Sequence, residues 1–189
     1  SFPTRRSSDL GEFDLEYDPL VSLRNEIENL NRLSPAWWTT RDDELMERLN
    51  YPLSTGSTEW ADEILHLDQA LVEGFRKGSL QSLLNQQGYK PDRSWGSLKL
   101  IEEYLIASGI EVADAKTIMS PLRELHDLRN ILKAHTSKSR RKTAERDALH
   151  RHGSYHNHYR DLVTRCDESV RQIVRLFGHK PAFTFSESD

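Results

Sequence analysis

Tyr155–Phe177 reads YHNHYRDLVTRCDESVRQIVRLF. Tyr155, Tyr159, Leu162, Val163, Cys166, Val170, Ile173, Val174 and Phe177 recur about every 3.5 residues, which draws one apolar stripe along one long helix. The pattern predicts a final helix over 147–177, closed by Gly178. A helix with such a stripe must bury it against other helices, and the preceding chain supplies them. In Trp60–Phe75, apolar side chains fall at 60, 64, 67, 71 and 75, a second strong amphipathic period. Ser97–Ser108 has a serine start and Gly109 just past its end. Val112–Met119 and Leu80–Gln87 read as short helices. Ser120-Pro121 places a capping serine before a proline at a first helical position, which predicts a fresh helix from Pro121 to about Ala134. Nearer the N-terminus, Leu20–Leu33 has helical spacing and is stopped by Pro35. A short helix is expected over Asp42–Leu49, and Pro52–Ser57 (PLSTGS) is a linker cluster. These elements predict an all-α fold: a helical bundle of five to six helices with a long C-terminal helix.

Composition agrees with that class. The chain has 189 residues, 30% of them charged and 36% hydrophobic, with a mean hydropathy of -0.72. Nine glycines and seven prolines are few for the turns of an all-β fold. No apolar run approaches the roughly 20 residues that cross a bilayer. One cysteine, Cys166, excludes an internal disulfide framework and a cysteine-based zinc site. A cytoplasmic protein acting away from membranes is expected. The division of the chain follows the same patterns. Residues 1–10 (SFPTRRSSDL) resemble a translated sequencing adapter and are expected to be an artefactual or disordered tail, with the true start of the gene upstream. Residues 11–57 form an acidic helical extension, 58–178 the bundle, and 179–189 a tail.

Charge is divided along the chain. Residues 11–75 hold 15 acidic and 4 basic side chains, whereas 76–189 hold 14 acidic and 20 basic ones. The cations concentrate in Lys133, Lys138, Arg140, Arg141, Lys142, Arg146 and Arg151. Such a patch neutralises phosphates, or it is simply a solvated basic loop. Other features have plainer readings. His152 and His156 share a helix face at a zinc-like spacing, yet no carboxylate or cysteine completes a site. Trp37-Trp38 offers stacking surface but reads as core, as does Cys166. No glycine-rich phosphate loop or nucleophile elbow is present. No metal and no cofactor is expected.

Leu122–His135 reads LRELHDLRNILKAH. Unrolled as a helix, Arg129 and His135 border the apolar face on either side of Leu132. They are separated by about 9 Å of helical rise, so one chain does not bring them into contact unless Arg129 reaches along the helix or the chain unwinds before His135. The stretch resembles the signature of the HEPN domain, an Arg and a polar residue followed by His near the end of a helix. Arg129-Asn130, then Ile131–Ala134, then His135 supply that pattern. The resemblance covers the helical core, 58–178. It implies a HEPN-like bundle and metal-independent cleavage of RNA, in many members by a homodimer, in defence or toxin systems. The implied catalytic residues are Arg129, Asn130 and His135: His135 moving a proton, Arg129 holding the scissile phosphate, Asn130 orienting the histidine or donating to the phosphate. Lys133, Lys138, Arg140, Arg141, Lys142 and Arg146 would bind the RNA backbone. An upstream domain or an antitoxin-like protein is the further partner implied. Some HEPN toxins carry a tyrosine two residues after the histidine. Ser137 stands there, so that modification arrangement is not implied. Two rival readings remain: a non-catalytic dimerisation or docking module, with Arg129 bridging to a carboxylate, and a nucleic-acid-binding helper without chemistry.

Overall fold

The structure, a computed structural model, describes residues 17–41, 44–133 and 138–178. Among them the chain forms eight α-helices: α1 (Pro19–Leu33), α2 (Leu45–Arg48), α3 (Ser57–Leu71), α4 (Lys77–Gln86), α5 (Ser97–Ala107), α6 (Val112–Lys133), α7 (Lys138–His152) and α8 (Tyr155–Gly178). A 3-10 turn, Val72–Gly74, prolongs α3. The fold is an all-α bundle, as the apolar periods predict. The expectations for the two tails and for His135 fall outside the described residues. No described helix is long and apolar enough to cross a membrane.

The α8 stripe is the organising surface. Tyr159, Leu162, Val163 and Cys166 are fully buried, and Val170 and Ile173 nearly so. Helices α1, α3, α6 and α7 all pack on α8. Helix α1 begins where the Asp18 carboxylate accepts from the amides of Leu20 (2.8 Å) and Val21 (3.1 Å), with Pro19 in the first turn. It ends where Ser34 turns left-handed before Pro35. Its Leu23, Ile27 and Leu30 lie in the same core as Trp60, Leu67 and Tyr159. The segment expected as an acidic extension thus packs its helix along α8. Trp37 and Trp38 are core residues too. Trp38 forms an isolated antiparallel bridge with Phe75, and its indole donates to Asn31 Oδ1 at 3.0 Å.

Three expectations need correction. The helices expected over Val112–Met119 and Pro121–Ala134 are one, α6, with Pro121 inside it. Proline lacks the amide that would reach the Thr117 carbonyl, and one residue on, the Ile118 carbonyl accepts from the Ser169 hydroxyl of α8 at 2.6 Å. The long helix expected over 147–177 is two, because Gly153 adopts φ 75°. Its amide closes α7 on the Leu149 carbonyl at 2.8 Å, and the Ser154 hydroxyl then accepts from the Asn157 amide at 3.1 Å. A left-handed glycine followed by a capping serine is a helix stop and start. Finally, the basic stretch 138–146, expected as a loop, is the body of α7. The merger and the split cancel in number, and the described residues form eight helices against the five to six expected.

Candidate functional site

Helix α6 carries chemistry on two faces. On the face toward α3, His126 and Arg129 stand one turn apart and meet one carboxylate, Asp68, which is fully buried. Arg129 Nε lies 3.4 Å from Asp68 Oδ2. Its Nη2 lies 3.0 Å from Glu73 Oε1 in the 3-10 turn, and its Nη1 donates to Asn130 Oδ1 at 3.0 Å. Glu73 is shared with Arg41. His126 Nδ1 is 3.0 Å from Asp68 Oδ1. Burial pushes the Asp68 carboxyl above its ordinary value, against the pull of His126, Arg129 and Lys133. Desolvation wins because the carboxylate has no access to water, while part of its compensation comes from partially solvated partners.

The implied catalytic residues are therefore placed as follows. Arg129 is 18% exposed and engaged by two carboxylates. Asn130 is exposed and accepts from Arg129. His135 lies outside the described residues. Asp68, Glu73 and His126 are the members of this cluster that the sequence pattern did not single out. One signal was present: Asp68 follows Leu67 and sits four residues after Ile64, a carboxylate beside an apolar stripe. Nothing local distinguishes His126.

On the opposite face of α6, a groove of about 570 Å³ runs between α6 and α7 and reaches the start of α8. Lys116, Arg123, Asp127, Ile131 and Arg151 are among its walls, and His158 forms part of its floor. Arg129 does not line it. His158 is 7% exposed, and its Nδ1 accepts the Trp60 indole N–H at 3.1 Å. The neutral ring must therefore carry its proton on Nε2. Burial, helped by neighbouring His152, pushes its pKa down to about 4. His152 packs edge-on to His158, with centroids 5.0 Å apart, whereas His156 donates to the Pro52 carbonyl at 3.2 Å. The two histidines at zinc-like spacing thus face different partners.

Helix α7 supplies the exposed charge. Lys138, Arg140, Lys142 and Arg146 are exposed, and Ala148 is its one buried residue among those described. Lys138, Lys142 and Arg146 recur every four residues and so share a face. Arg141 is half-buried and pairs with Glu145 at 2.9 Å. Arg146 Nε lies 3.6 Å from Asp147 Oδ1. Lys133 is exposed at the end of α6. A surface helix of this composition can track a phosphate backbone, since long cationic side chains meet phosphates without base-specific geometry. No family model matches the chain, and no curated protein or solved structure is found to resemble it.

Proposed function

We propose that this chain is a HEPN-like RNA-binding bundle that cleaves RNA without a metal, with α7 as the RNA-binding surface and the α6 cluster as the reactive centre. The observation that carries the reading is the cationic helix α7, on which Lys138, Arg140, Lys142 and Arg146 are exposed. Lys133, Lys138, Arg140, Arg141, Lys142 and Arg146 contact the backbone in this reading. RNA brings its own nucleophile, the 2′-hydroxyl, so a guanidinium to hold the phosphate and an imidazole to move a proton suffice. Arg129 and His135 take those roles, with Asn130 beside them, and a second copy across a twofold axis closes the distance between them. A cytoplasmic place in a defence or toxin system, with an antitoxin-like partner, follows from the same resemblance.

The test is binding and cleavage of a single-stranded RNA in EDTA. Charge reversal at Lys138, Lys142 and Arg146 together is expected to abolish binding at moderate salt. It should also flatten the salt dependence of affinity by about 2 log units per decade of salt, three lost phosphate contacts at about 0.7 each. Unchanged affinity and salt slope would remove α7 from the interface. Arg129→Ala and His135→Ala are expected to abolish cleavage and spare binding.

One observation favours a second reading. Arg129 already bridges Asp68 and Glu73, the arrangement of a structural cross-link. In that reading the protein binds RNA without cutting it, and Arg129→Ala lowers the melting temperature and leaves no activity to lose.

A further inference from the structure

His126 stands one turn before Arg129 on the same face of α6, and the two share Asp68. A carboxylate only accepts, so the 3.0 Å contact to Nδ1 places the imidazole proton on Nδ1 and leaves the lone pair of a neutral ring on Nε2. Asp68 is fully buried, while the His126 side chain is 37% exposed. The ring is thus gripped from inside the protein at one nitrogen and meets solvent over part of its surface. Asp68 is also faced by Arg129 and Lys133 of α6, and Arg129 is held in turn by Glu73 of the 3-10 turn.

From this geometry we propose that His126, oriented by Asp68, is the general base of the RNA-cleaving centre, with Arg129 as the phosphate-holding cation beside it. The inference rests on the ribonuclease reading above for the reaction and for Arg129 as its cation, and puts His126 in the place of His135 as the group that takes the proton. It needs only one chain: three residues of helix separate imidazole and guanidinium by about 4.5 Å of rise, against about 9 Å for Arg129 and His135. In the reaction, Nε2 takes the proton of the 2′-hydroxyl as that oxygen forms a bond to phosphorus. The bond from phosphorus to the 5′-oxygen breaks, and the leaving oxygen takes a proton from solvent water. The imidazolium returns its proton to solvent. The products are a 2′,3′-cyclic phosphate and a 5′-hydroxyl, with no net change in protons. Asp68 is the positioning residue: it fixes the tautomer and stabilises the imidazolium as it forms.

The experiment compares wild type, His126→Gln and Asp68→Asn on a mixed-sequence single-stranded RNA in EDTA, with affinity for the fully 2′-O-methylated strand as the measure of intact binding. His126→Gln is expected to lose about a hundredfold or more in cleavage rate while binding the methylated strand as wild type does. Asp68→Asn is expected to slow cleavage and to shift the His126 ring toward the Nε2–H tautomer, read from imidazole 15N shifts. Cleavage by His126→Gln at the wild-type rate overturns the role of His126 and leaves the ribonuclease reading standing. No cleavage by wild type overturns both. A wild-type His126 found as the Nε2–H tautomer overturns the proposal whatever the folding of the variants.

Discussion

His158 is a base that burial keeps neutral, with a single donor at its Nδ1. The Trp60 indole N–H points at its Nδ1, so protonating the ring would set two N–H groups against each other as well as bury a charge. Its pKa is pushed down to about 4 in the fold, against about 6.5 when unfolded. Between those values the unfolded chain binds the extra proton. Stability is therefore intact above about pH 6.5 and declines as pH falls toward 4, by about 3 kcal/mol. Urea unfolding of wild type and His158→Gln at a series of pH values checks this: the variant is expected to lose most of the decline between pH 6.5 and 4. Gly74 is constrained by a different neighbour. A Cβ there would lie 2.6 Å from the Trp38 ring, and Trp38 is held by its bridge to Phe75 and by Asn31. Gly74→Ala is expected to cost about 2 kcal/mol through overpacking, read as a lower denaturation midpoint.

At the scale of elements, the Asp68 cluster joins α3, the 3-10 turn and α6. Removing Arg129 leaves a buried carboxylate with weaker compensation, a loss of about 3 kcal/mol at neutral pH. Asp68 has a raised pKa, so its folded form takes up a proton more readily than the unfolded chain. The penalty in Arg129→Ala is accordingly expected to shrink as the pH is lowered and Asp68 becomes neutral. A double-mutant cycle of Arg129→Ala with Asp68→Asn, run at pH 7 and in acid, reads that coupling. Equal coupling at both pH values would show that the charge of Asp68 is not what Arg129 answers. Helix α7 differs from the other long helices in kind. It has one buried residue among those described and no apolar stripe, so its helical state is carried by propensity, by pairs such as Arg141 with Glu145, and by its contact with α6 and α8. That is why the sequence reads as a basic loop at 138–146. The Gly153-Ser154 break was visible as residues but lost beneath a strong apolar period that begins just after it.

Across the whole molecule, the bundle is held by a stripe on α8 that four helices cover. Helix α1 lies along it despite the acidic character of its segment, because Leu20, Leu23, Ile27 and Leu30 form their own narrow apolar face and the acids point outward. The two chemically distinct faces of α6 are a consequence of that packing: one side meets α3 and its carboxylates, the other opens into the groove beneath α7. Periodicity in the sequence was enough to determine the all-α class, most of the helices and the apolar faces, since a 3.6-residue repeat is local and each helix displays its own. Packing decided what periodicity does not encode. It let α6 run through Pro121 and brought Asp68 and Glu73 onto Arg129 from residues more than fifty positions away. It also gave His126 a buried carboxylate that nothing in LRELHDLRNILKAH announces. A side chain's partner across a bundle is set by which stripes meet and at what height, and that is a property of the assembled helices rather than of any one of them.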